Sequence, residues 1–95
     1  MLDVRRIKSK PLKLFARGDP SKVNPGWRPR VKRILSALNV ATHPAELDFP
    51  GSGFHPLGHD RRGTYSVRVS GNWRVTFKWD DEGPFDVNLE DYHGK

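Results

Sequence analysis

Three runs of alternating residues fill the last third of the chain. Tyr65, Val67 and Val69 alternate with Ser66, Arg68 and Ser70; Trp73, Val75, Phe77 and Trp79 alternate with Arg74, Thr76 and Lys78; Phe85, Val87 and Leu89 alternate with Asp86, Asn88 and Glu90. A period of two marks a strand with one buried and one wetted face, so the pattern predicts three antiparallel strands sharing an apolar face. A two-residue turn at Gly71-Asn72 would set Val69 opposite Arg74 and divide the apolar residues between the two faces. A three-residue turn, Ser70-Gly71-Asn72, keeps them together: Val69 faces Trp73, Val67 faces Val75 and Tyr65 faces Phe77.

On the polar side the same register sets Arg68 opposite Arg74. Like charges across a ladder destabilise it, so this pairing needs a nearby carboxylate or an anion from outside. Pairing Trp79 with Phe85 across the loop Asp80-Asp81-Glu82-Gly83-Pro84 places Arg74 opposite Glu90, and Asp91-Tyr92-His93 beside Trp73 and Asn72. Two readings stay open at this stage: an Arg74–Glu90 salt bridge on a solvated sheet face, and an anion site.

Upstream, the pattern changes. Leu2, Val4 and Ile7 suggest a short edge strand with a cationic outer face. Leu12, Leu14 and Phe15 suggest a short helix capped by Ser9, with Pro11 in its first turn and Gly18 at its end. The segment 19–29 reads as a loop whose Trp27 packs on the next helix. From about Arg30 to Val40, residues Val31, Ile34, Leu35 and Leu38 recur at helical spacing, an apolar stripe able to cover the sheet. A short turn at Ala45 to Leu47 follows, and His55-Pro56-Leu57 forms a brief strand inside a loop rich in glycine, proline and titratable groups (residues 49–63). Helices followed by an antiparallel sheet give a two-layer α+β fold, with N-terminal helices packed on a twisted sheet of three to five strands. Ninety-five residues, without internal repeat or linker, suggest a single domain over 1–95.

Charge sharpens the functional question. The net charge of +6 is unevenly spread: residues 1–33 hold eleven Lys and Arg against Asp3 and Asp19 (+9), and residues 34–95 hold six against nine acidic residues (−3). A basic half on a folded domain is the footprint of a nucleic-acid binder, or of a surface that docks on an acidic partner. Cysteine is absent, which excludes a disulfide framework and thiolate metal sites. No apolar run approaches the roughly 20 residues of a membrane span, and residues 1–10 lack a signal-peptide apolar segment. A soluble protein of the cytoplasm, without a membrane partner, is the expectation.

A zinc site is disfavoured, because Pro56 and Gly58 between His55 and His59 break the helix that would present both, even with His43 and His93 to join them. Nor does any serine sit in a nucleophile-elbow motif. Acid–base cleavage of RNA needs fewer parts: a base for the ribose 2′-hydroxyl, an acid for the leaving 5′-oxygen, and cations for the phosphorane charge. His93, Arg74 and the loop around His55 meet if the register holds, and Tyr92 offers a ring to stack on a base.

His55-Pro56-Leu57, Asp60-Arg61 with Gly63, Ser66, Asn72-Trp73-Arg74-Val75-Thr76-Phe77 and the closing Asp91-Tyr92-His93 resemble the HigB-type toxins of type II toxin–antitoxin pairs, within the RelE superfamily. The resemblance covers nearly the whole chain. It implies a compact ribonuclease that cuts translated mRNA in the ribosomal A site without metal or other cofactor. By the same resemblance, His93 and His55 are the acid–base pair and Arg74 the phosphate stabiliser, while Asp91 and Tyr92 shape the site and hold the nucleotide. Asn72, Arg68, Arg61, Arg62 and His59 are candidate RNA- or phosphate-binding residues. The implied partners are the ribosome with its mRNA, a cognate helix-turn-helix antitoxin, and operator DNA only through the toxin–antitoxin complex. One departure stands out: family members often carry a lysine directly after histidine-proline-leucine, where this chain has Gly58; either His59, Arg61 or Arg62 replaces that cation, or the enzyme is slow and the toxin mild. The alternatives are a non-catalytic basic module that binds nucleic acid or the antitoxin, and a superfamily relative acting on another target such as DNA gyrase.

Overall fold

A computed structural model describes residues 2–92. It has two α-helices, α1 (Lys10–Ala16) and α2 (Arg28–Val40), packed on an antiparallel sheet of β1 (His55–Pro56), β2 (Thr64–Ser70), β3 (Trp73–Asp80) and β4 (Gly83–Asp91). The strands lie in chain order, β1-β2-β3-β4. This is the α+β, helices-on-sheet arrangement that the patterning predicts. None of the described helices is long and apolar enough to cross a membrane.

Helix α1 starts where the sequence says it should: Ser9 Oγ accepts from Leu12 N at 3.3 Å and Pro11 sits in the first turn. Helix α2 begins two residues earlier than its apolar stripe suggests, since Arg28 and Pro29 already belong to its first turn. Trp27 gives it no side-chain cap, a loss of about 1 kcal/mol. Burial of Val31, Ile34, Leu35 and Leu38 outweighs this, at roughly 1.5–3 kcal/mol per side chain. These four meet Val67, Val75, Phe77 and Val87 of the sheet and Leu12 of α1 in one core. The ring of Trp27 rests on Trp73, with centroids 5.4 Å apart, so its partner is the end of β3.

The first residues do not form an edge strand. Asp3 caps a one-turn 3-10 helix over Val4–Arg6, its carboxylate accepting from Arg5 N at 2.9 Å. Ile7 makes a single parallel bridge to Val87, where Val87 O accepts from Lys8 N at 2.7 Å.

The register matches expectation in the middle of the sheet and departs from it at two bulges. Tyr65 faces Phe77, Val67 faces Val75 and Arg68 faces Arg74, but Ser70, not Val69, faces Trp73. The turn is therefore the two-residue Gly71-Asn72, and an extra residue in β2 restores the facing that a longer turn was expected to provide. Gly71 has φ +55°, the left-handed region this tight turn requires.

Between β3 and β4, Arg74 faces Glu90 and Trp73 faces Asp91, as expected, whereas Trp79 faces Pro84 and Lys78 faces Phe85. A second bulge at Asp86, with φ +49°, shifts the register by one. It sends Phe85 to the polar side, where the Arg6 guanidinium lies 5.1 Å from its ring centroid, and it buries Pro84 in its place. The connection shortens to Asp81-Glu82, because Asp80 already pairs with Gly83.

Candidate active site

The polar face of the sheet forms a grid. One row runs His55, Ser66, Thr76, Asn88 across the four strands, and the next runs Arg68, Arg74, Glu90 across three. Cross-strand neighbours stand about 4.5–5.5 Å apart at Cβ, so His55, Arg68 and Arg74 share one patch. Ser66 and Thr76 are buried beneath the longer side chains, while His55 and Arg68 are exposed.

Arg74 leans toward β1 rather than toward Glu90. Its Nη1 donates to Ser66 Oγ at 3.0 Å and to Gly53 O at 3.2 Å, both uncharged acceptors. Among the described residues no carboxylate forms an ion pair with it. The loop over residues 51–53 can lie this close because Gly53 has φ +63° and a Cβ there would come within 3.3 Å of Arg68 Cβ. The loop is tied down from beneath: Arg68 N donates to Ser52 O at 2.8 Å, and Arg30 donates to Gly51 O and, at 2.9 Å, to Arg68 O. Two like charges, Arg68 and Arg74, thus sit directly opposed on a wetted face, an arrangement an incoming anion relieves.

Glu90 is held by Arg61 instead, in a two-pronged pair at 2.8 and 2.9 Å, and also accepts a hydrogen bond from Thr76 Oγ1. The Arg61 guanidinium, then the Thr76 and Asn88 donors, hold the Glu90 carboxyl down at about 2, against an opposing push from burial. A carboxylate depressed in this way stabilises the fold fully above its ordinary value of 4.5 and loses that contribution as pH falls toward about 2. Urea midpoints followed through this window should fall with pH for the wild type and flatten for Glu90→Gln; parallel curves would show that the pair adds nothing.

The remaining candidates separate. Tyr92 lies with the site: its ring centroid is 5.8 Å from the Arg61 guanidinium, and its N donates to Asn72 O at 2.8 Å, which ties residue 92 to the β2–β3 turn. Asp91 faces Trp73 across the ladder, so strand alternation assigns it to the sheet's other side. His59 and Arg62 are exposed just before β2, and Arg62 joins Lys8, Arg61, Lys78, Asn88 and Glu90 around a polar pocket of about 140 Å³ beside the grid. His93 lies outside the described residues. Among the described residues, no group of three His, Cys, Asp or Glu side chains is placed to hold a metal ion.

Sequence reasoning missed the supports. Ser66 and Thr76 enter the sequence reading only within the family motifs and the strand alternation, with no site role, and Gly53 and Arg30 read as loop and helix surface. Their alternation with Tyr65, Val67, Val75 and Phe77 was the available signal for the first two. Nothing local marks the others.

The family of RelE-like toxins of the type II toxin–antitoxin system HigB matches this chain over residues 5–93. The chain belongs to that family. A relative, Endoribonuclease HigB of Proteus vulgaris, is 37% identical over 91 residues, covering 95% of this chain and 99% of that protein. Membership of a HigB-type toxin–antitoxin family implies an antitoxin as a partner.

Proposed function

We propose that this chain is an endoribonuclease toxin of the cytoplasm that cuts mRNA during translation, in the ribosomal A site, and is silenced by a cognate helix-turn-helix antitoxin. The observation that carries this reading is Arg74, a guanidinium held by two uncharged acceptors beside Arg68 and His55. A charge kept unneutralised in place suits a phosphodiester that becomes more negative on the way to its transition state.

Cleavage then follows from ordinary RNA chemistry. One histidine takes the proton of a ribose 2′-hydroxyl, the 2′-oxygen bonds to the adjacent phosphorus, and the P–O5′ bond breaks as a second group protonates the leaving oxygen. The products are a 2′,3′-cyclic phosphate and a 5′-hydroxyl. His55 and His93 fill the two proton-transfer roles, and the fork of Arg74 holds the non-bridging oxygens. Tyr92 stacks on a base. Asn72, Arg68, Arg62 and His59 line the path of the backbone, and Asp91 helps shape the site.

Primer extension on mRNA from cells pulsed with the protein, with and without active ribosomes, tests the reading. Breaks confined to translated frames are expected. Breaks that persist without translation would remove the ribosome from the proposal, and intact mRNA would favour a binding module or another target such as DNA gyrase.

A further inference from the structure

Arg74 and Glu90 are cross-strand partners in register, the placement in which an arginine and a glutamate most simply neutralise each other. They stay apart. Arg61, arriving from the one-turn helix before β2, takes both Glu90 oxygens, and Thr76 adds another donor from the same row. A carboxylate gripped by a planar fork has its strongest contacts filled and its direction fixed. Arg74 turns the other way, onto Ser66 and Gly53.

We propose that Arg61 is a positioning residue that draws Glu90 away from Arg74, so that the Arg74 fork stays available to an RNA phosphate. The inference rests on the ribonuclease reading above and deepens it. Without Arg61, a change of rotamer lets Glu90 span the short cross-strand gap and close a bidentate pair on Arg74, occupying the two N–H groups that a phosphate needs. The same side chain lies against the Tyr92 ring, so one guanidinium sets both the charge of the site and the seat of its stacking ring. Arg61 is thus committed within the protein, which removes it from the residues able to stand in for the family's lysine.

The test is a double-substitution cycle read two ways. Cleavage is followed in a reconstituted translation reaction, and binding is followed with a mixed-sequence 2′-O-methyl oligoribonucleotide, which cannot be cut. Arg61→Ala should lower cleavage about 100-fold, the cost of losing one electrostatic stabiliser, and adding Glu90→Gln should restore roughly tenfold or more of that loss. Oligonucleotide affinity should fall and recover in the same order. A purely structural pair predicts the opposite, with the double variant no better than Arg61→Ala; that result overturns the inference, as does wild-type binding by Arg61→Ala. Should Arg61→Ala fail to fold by circular dichroism, Arg61→Met keeps the aliphatic stem; if neither folds, Arg61 is a strut and the inference falls. A wild-type protein that cuts no transcript would sink the ribonuclease reading instead, and the binding cycle still decides whether Arg61 diverts Glu90.

Discussion

Arg74→Ala should lower RNA cleavage by about 100- to 1000-fold, corresponding to roughly 2.7–4 kcal/mol of lost transition-state stabilisation. The fold should survive it. Arg74 lies on the wetted face, and its two acceptors, Gly53 O and Ser66 Oγ, lose one modest hydrogen bond each, about 1 kcal/mol apiece at most after solvent replaces the donor. Arg74→Lys is expected to fall between, since it keeps the charge and loses the planar fork. Rates in a translation reaction, set beside thermal melting of the same samples, check both halves. A folded Arg74→Ala variant that cleaves within a few-fold of wild type would remove Arg74 from the chemistry.

Phe77→Ala should be the most damaging change to the fold. Phe77 is fully buried at the centre of β3, with ring centroids 5.7 Å from Tyr65 and 6.1 Å from Trp79, and Tyr65 in turn stacks on Phe54. Emptying this position costs about 3–5 kcal/mol. Against a total of roughly 5–15 kcal/mol for a domain this size, that is a large share. The aromatic chain also runs from β3 to Phe54, the residue before His55, so catalysis should decline at temperatures where the variant is still mostly folded. Urea denaturation measures the first effect; a loss under about 1 kcal/mol would mean that the neighbours collapse into the space, contrary to the tight packing expected of such a core.

The strands, both helices and the central register were legible because they rest on periodicity, and periodicity is local. The bulges were not. Val69 and Asp86 interrupt the ladders without interrupting the apolar–polar alternation, and an aspartate in the left-handed region leaves no mark in composition. The return of Asp91 and Tyr92 to Trp73 and Asn72 followed from the register. The capture of Glu90 by Arg61 did not, since the two lie 29 residues apart and meet only because the loop before β2 folds over the sheet. Of the two readings left open for Arg74, the structure rejects a salt bridge to Glu90. The presence of an anion is what Arg74→Ala will report.

The single bridge between Ile7 and Val87 has a consequence for how the protein behaves when abundant. Chains that polymerise by adding strand to strand need a long, straight, vacant border on each molecule. Here one border is a two-residue strand containing Pro56, and the other carries Pro84 near its start, kinks at Asp86 and is already occupied at its midpoint by the protein's own amino-terminal segment. High expression should therefore raise the population of dispersed molecules rather than seed fibrils.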